Sequence, residues 1–143
     1  MQTLTHRVEE ARRSWNAGDL AGYLSLYDRA IRIHGFAPDP FDKAAVTSFY
    51  ETIWASLGDE GRPNPQLDFF ETLENGDLYS CRFMMSGIHR GPFLGVPATG
   101  KSYALNGITI LRFGPGHRTV VERFSSADML GLLVQIGALP PPA

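Results

Sequence analysis

The chain changes its hydrophobic period once, and that change limits the fold more than any other feature. Through Leu57 the apolar residues recur mainly at helical spacing, and from Leu67 onward they alternate. In the second half, Asn75-Gly76 separates two alternating runs. It is the strongest two-residue hairpin signal in the sequence, because both residues accept the positive φ of a type I′ turn. The runs 67–73 and 77–89 flank it, 102–113 reads as a third strand, 114–117 turns the chain, and 118–126 closes an antiparallel meander.

The first half reads differently. Leu4, Val8, Ala11 and Trp15 fall on one helical face, with Thr3 or Thr5 able to cap its start. Gly18 suits a helix end and Asp19 an N-cap, and Leu20, Tyr23, Leu24 and Tyr27 continue as a second short helix. Residues 30–36 alternate and predict a short strand with His34 near its end. Asp42 can cap a third helix carrying Val46, Phe49, Tyr50, Ile53, Trp54 and Leu57 as one broad stripe. That stripe packs a core, or Tyr50 and Trp54 line a ligand cavity. Residues 127–137 predict a last short helix, capped by Ser125, Ser126 or Asp128, and 138–143 a stiff, mobile tail. Helices segregated from an antiparallel sheet define an α+β fold. With 143 residues, no repeat and no linker, the chain reads as a single domain over 1–143. In the strand 102–113 both faces are apolar: Leu105, Thr109, Leu111 and Phe113 on one, Ile108 and Ile110 on the other. A sheet covered on both faces is expected, with a second copy of the chain as the outer cover: a homodimer.

Composition excludes several functions. A net charge of −2, with Arg12-Arg13 the densest basic spot, gives no footprint for nucleic acid. Cys81 is the only cysteine, so no intramolecular disulfide forms, and a reducing compartment is expected. The N-terminus lacks an apolar signal core, and no apolar run approaches the roughly 20 residues of a membrane span, so the expectation is a cytoplasmic protein without membrane contact. His6, His34, His89 and His117 are too scattered to form a metal-ligand pair. Gly95, Gly100, Lys101 and Ser102 match phosphate-loop spacing, but a strand follows where a helix must present its N-terminus. Cys81 sits mid-strand and reads as core. Acid–base work on a bound organic molecule remains. Its candidates are His34, His89, Arg112 and Asp128, each near a strand end. Each also has a plainer use: His89 can tie down the glycine-rich segment 87–101, Asp128 can cap a helix, and Arg112 can pair with a carboxylate or a partner chain.

That segment, with Gly87, His89, Gly91, Gly95, Pro97, Thr99 and Gly100, is followed by Gly107 and Arg112 and then by Asp128, Gly131, Leu133, Gln135 and Gly137. In these residues and their spacing the chain resembles the SnoaL-like polyketide (ester) cyclases over nearly its whole length. The resemblance implies the cone of the nuclear transport factor 2-like fold: a curved antiparallel sheet around helices, with a deep apolar pocket and dimerisation through the outer sheet face. The segment 91–100 then runs along the rim, with Phe93, Leu94 and Val96 over the pocket. The family's characterised cyclases close rings by an intramolecular aldol reaction without metal or cofactor, using an aspartate assisted by a histidine. Aligned on Arg112 and on 128–137, the histidine position is Thr109 and the aspartate position Ser125. Catalysis here then passes to other residues: His89 or His34 as base and Asp128 as an orienting or proton-transferring group. The pocket wall expected from strand alternation comprises Phe83, Met85, Thr109, Leu111, Arg123 and Ser125, with Tyr50, Trp54 and Phe93 from the helix and the rim.

Three readings follow. The chain is a cofactor-free cyclase- or isomerase-type enzyme with non-standard catalytic residues acting on a small apolar or aromatic molecule. Alternatively it is a non-catalytic binder of such a ligand, or a dimeric interaction module with a vestigial pocket. The enzyme needs an ionisable group inside the cavity, the binder a closed apolar cavity, and the interaction module a filled cavity beside an exposed apolar patch.

Overall fold

Helix α1 (Leu4–Asn16) begins as the sequence predicts: the Thr3 hydroxyl accepts from the His6 amide, and Leu4, Val8, Ala11 and Trp15 are buried. This computed structural model describes residues 3–142. Asp19 caps α2 (Leu20–Leu24) by accepting from Gly22 N–H. The helix stops four residues after Asp19's neighbour begins it, and Tyr27 opens strand β1 (Tyr27–His34) rather than ending α2. Pairing of Tyr27 with Val120 and burial of its ring outweigh its helical spacing. Asp42 caps α3 (Lys43–Leu57), whose stripe faces the core.

The meander follows as β2 (Gln66–Asn75), β3 (Leu78–Ile88), β4 (Ser102–Phe113) and β5 (Val120–Ala127), and Asp128 caps α4 (Met129–Gln135). The sheet order is β1-β5-β4-β3-β2. It is not wholly antiparallel: β1 occupies the free edge of β5 and runs parallel to it. The sheet is therefore mixed, open and curved. Along β4 burial alternates without a break. Tyr103, Leu105, Thr109, Leu111 and Phe113 face the helices, while Ile108 and Ile110 stay exposed on the outer face.

The glycine-rich bridge between β3 and β4 is fastened along most of its length. His89 N–H donates to Lys101 O and Gly100 N–H to His89 O, so the ladder continues past the strand ends. Beside it lies the C-terminal end of α3, whose last carbonyls need donors. Arg90 supplies three of them, its guanidinium donating to the carbonyls of Trp54 and Ala55 and its backbone N–H to Ser56 O, and the same guanidinium also donates to the carbonyls of Asp59, Arg62 and Pro63 in the loop that follows. This close approach explains Gly87, where a Cβ would come within 2.1 Å of Gly58 O. Further along, Phe93 and Val96 close a two-residue turn with reciprocal bonds of 3.0 and 2.8 Å, and Leu94 and Gly95 at its tip both have positive φ, 50° and 77°.

Candidate functional site

Between the concave sheet face and the helices lies a cavity of about 350 Å³. Trp15 from α1 and Phe49, Tyr50, Ile53 and Leu57 from α3 form one wall. Leu67 and Phe69 of β2, Phe83 and Met85 of β3, and Leu105 of β4 form the opposite one, with Arg123 and Ser125 from β5. Phe93 and Leu94 of the bridge line it too, as do Met129 and Leu132 of α4. Two close approaches shape this wall. A Cβ on Gly107 would meet the Phe83 ring at 2.4 Å, so glycine there lets the ring lie across β4. A Cβ on Gly35 would fall 1.8 Å from Ser125 O, so glycine, at a φ of 103°, brings the chain against β5 just after β1.

Arg123 is the cationic centre of this cavity, and only 7% of it is exposed. Its Nε donates to Thr109 Oγ1 at 2.9 Å, and Thr109 Oγ1 donates onward to Phe124 O at 3.0 Å. Its Nη1 donates to the hydroxyls of Tyr27 (2.5 Å), Tyr50 (3.0 Å) and Tyr23 (3.4 Å). The hydroxyls of Tyr27 and Tyr50 also bond each other at 2.7 Å. The rings of Phe36 and Phe83 lie 5.3 and 5.8 Å from the guanidinium carbon, close enough for cation–π attraction. No carboxylate among the described residues pairs with Arg123, and its Nη2 has no hydrogen-bond partner among them.

The protonation states here are fixed. Burial pushes the phenols of Tyr23, Tyr27 and Tyr50 far above their ordinary range, against the opposing pull of Arg123, so all three are neutral at physiological pH. Burial also works against the Arg123 cation, but the three tyrosines outweigh it and its pKa is raised. The cavity therefore contains a permanent positive charge that hydroxyl dipoles and aromatic faces solvate but no protein anion among the described residues compensates. Ser125 adds a buried hydroxyl oxygen without a hydrogen-bond partner.

Of the pocket residues expected from the sequence, Tyr50, Phe83, Met85, Phe93, Arg123 and Ser125 line the cavity. Thr109 stands behind Arg123 as its acceptor. Trp54 and Leu111 are buried in the surrounding core and do not line the cavity. The four candidates for acid–base work, His34, His89, Arg112 and Asp128, are not brought together and none lines the cavity, and Arg112 takes its plainer use by pairing with Asp77 and Glu122 at 3.6 Å. His89 is 0% exposed, and its Nδ1 accepts from the Thr99 amide at 3.2 Å and bonds the Thr99 hydroxyl at 2.9 Å, pinning the two ends of the bridge to each other. Asp128 accepts from Gly131 N–H at 2.8 Å as the cap of α4. His34 is turned to the outer face, where it stacks on Phe124 and meets Glu122 at 3.0 Å. Thr109 and Ser125, the positions aligned with the family's histidine and aspartate, are direct cross-strand partners on β4 and β5. Sequence reasoning missed Tyr23 and Tyr27. Their i, i+4 spacing suits one helical face, but the chain between them leaves the helix at Leu24 and enters β1 at Tyr27.

The family model for SnoaL-like polyketide cyclases matches residues 5–136. The chain belongs to this family. Its fold is that of solved family structures at low sequence identity. AclR from Streptomyces galilaeus superposes with a TM-score of 0.84 at 24% identity, covering 98% of this chain and 88% of that one. TsrD from Streptomyces laurentii gives 0.79 at 22%, covering 95% and 96%, and IdmH from Streptomyces antibioticus gives 0.76 at 23%, covering 95% and 99%. No curated protein matches the sequence. Among the described residues no helix is long and apolar enough to cross a membrane, and no three of the His, Cys, Asp and Glu side chains are grouped to hold a metal ion.

Proposed function

We infer that this SnoaL-like chain takes a small, mostly apolar polyketide or aromatic molecule into the cone and performs cofactor-free, cyclase-type chemistry on it. The observation that carries the reading is the cavity: aromatic and aliphatic walls around one buried cation, within the size range of small-molecule sites. A flexible chain confined there loses its conformational freedom on binding, so the ring-closing geometry is reached before any bond forms. A fixed positive charge then favours negative charge developing on oxygen during closure. Two structural neighbours carry proposed activities in their descriptions, hydroxylase for AclR and polyketide cyclase for IdmH.

Binding without turnover is the second reading. It is favoured by one observation: among the described residues no carboxylate or imidazole lines the cavity, so none of their side chains there is an obvious proton acceptor near neutral pH. A neutral fluorescent probe, N-phenyl-1-naphthylamine, tests occupancy. Ala127→Trp, which narrows the cavity from the end of β5, is expected to weaken its binding at least tenfold (about 1.4 kcal/mol). Equal affinity in both proteins would remove the cavity from the reading. Mass spectrometry of a poly-β-ketone ester with and without the protein separates the two readings: accelerated cyclisation supports the enzyme, and an unchanged rate with retained binding supports the binder. For the outer sheet face, a second copy of this chain is the proposed cover, through Ile108, Ile110 and Phe124.

A further inference from the structure

We propose that Arg123 is a one-oxygen anion seat, and that the molecule the cavity takes is recognised through an enolic oxygen, as in a 1,3-dicarbonyl compound. This rests on the reading that the cavity binds an organic ligand, and it specifies the ligand's class. A guanidinium offers two forks for a carboxylate, each made of two adjacent nitrogens. Both forks of Arg123 are half used. Thr109 takes Nε, the tyrosines take Nη1, and only Nη2 lacks a protein acceptor among the described residues. A carboxylate therefore finds no free pair of parallel donors. A group with one charged oxygen loses nothing by meeting a single nitrogen.

The surroundings favour the same group. The residue is more than nine-tenths buried, yet no carboxylate meets its charge. A buried cation of this kind gains most from an anion brought in with the ligand. Phe36 and Phe83 stand near the guanidinium, and both line the cavity, so an oxygen seated on Nη2 belongs to a ligand whose flat, conjugated body lies among aromatic walls. The enolate of a cyclic 1,3-dicarbonyl is flat and conjugated, and the two oxygens that share its charge point apart, so one of them meets one donor. Such a dicarbonyl also ionises more readily than a simple ketone, and on binding as the enolate it releases its proton to solvent, so the seat operates although no carboxylate or imidazole among the described residues lines the cavity to accept it.

Three probes of one shape test this: 5-phenylcyclohexane-1,3-dione, its monoketone counterpart 3-phenylcyclohexanone, and 3-phenylcyclohexane-1-carboxylate. Calorimetry at neutral pH gives their affinities, and ultraviolet titration of the dione in excess protein gives the acidity of the bound enol. The dione is expected to bind at least tenfold more tightly than the monoketone. Its bound pKa should fall by about one unit or more, a tenfold shift. Arg123→Met should erase both effects while changing monoketone affinity less than threefold. If that variant does not fold, the comparison of probes on the natural protein decides alone. Equal binding of dione and monoketone, or an unshifted enol, overturns the seat and leaves the cavity reading standing. Tighter binding of the carboxylate than of the dione overturns the one-oxygen form, because a carboxylate outdoes the enolate only where a pair of parallel donors receives both its oxygens. Failure of all three probes to bind overturns both this inference and the reading beneath it.

Discussion

Arg123 carries its charge into the core without a carboxylate to meet it, and the protein's stability should register that. The three tyrosine hydroxyls that accept from it can bond one another, and Thr109 already donates to Phe124 O. Removing the guanidinium therefore strands few groups. Arg123→Met is expected to raise the unfolding free energy without ligand by about 1 kcal/mol or more, read from urea denaturation. A loss of stability instead would mean that the tyrosines depend on the cation. Alkaline pH is the second test at this scale. Tyr23, Tyr27, Tyr50 and Tyr103 all have phenols raised by burial, whereas in the unfolded chain they titrate near pH 10. Above that point the unfolded state has lost protons that the folded state keeps. Their contribution is thus complete below about pH 10 and declines as pH rises toward the folded values. Stability should fall by up to about 1.4 kcal/mol per pH unit for each tyrosine, and Tyr50→Phe should make the decline shallower. Some of this site was legible in advance. Alternation on β5 put Arg123 and Ser125 on one face. The same rule could have turned His34 outward, because it alternates with the buried Ile31 and Ile33. What alternation could not supply was the meeting of Tyr23 and Tyr27 with Arg123, which lies about a hundred residues away in sequence.

Among the elements, those whose signals are local were read well and those decided by distant packing were not. The β2–β3 hairpin and the helix caps Thr3, Asp19, Asp42 and Asp128 each rest on neighbours within three residues, and all are present, but the hairpin loop is Gly76-Asp77 rather than Asn75-Gly76: Asn75 pairs with Leu78, and Gly76 alone takes the positive φ. The boundary of α2 and the parallel docking of β1 depend on β5, which no local pattern encodes. The bridge lies between these cases: its glycines announced an unusual path, and the end of α3 shows why. Gly87→Ala would drive a methyl group into Gly58 O, and a loss of about 2–3 kcal/mol in chemical denaturation is expected. A loss below 0.5 kcal/mol would mean that the bridge yields easily. Leu94 tests the other end. It holds a positive φ at the turn tip while 64% exposed, a conformation that costs a leucine roughly 1 kcal/mol. Leu94→Asn should recover part of that stability and weaken ligand binding at the rim, so a stabilised variant with unchanged affinity would exclude Leu94 from the binding surface.

The whole molecule presents two apolar surfaces, one inside the cone and one on its back. On the back, Ile108 is 62% exposed, and Ile110 and Phe124 sit side by side as cross-strand partners. Around them stand His34, Glu122, Arg112 and Arg82, so an apolar centre has a charged rim, the layout of a protein interface. Sedimentation velocity at micromolar concentration is expected to report a dimer, and Ile110→Lys a monomer with unchanged ligand affinity. A natural protein that sediments as a monomer would remove this face from the assembly. Inside the cone, Thr109 and Ser125 stand opposite each other where the resemblance aligns a histidine and an aspartate. An aspartate at 125 would lie two residues from Arg123 on the same strand, and the two would form an ion pair. The cation would then be quenched by its own protein, and the aspartate would lose the basicity for which it was introduced. An arginine at 123 and an aspartate base at 125 thus exclude each other within one cavity, and only the double change Arg123→Met with Ser125→Asp would leave the carboxylate free to act.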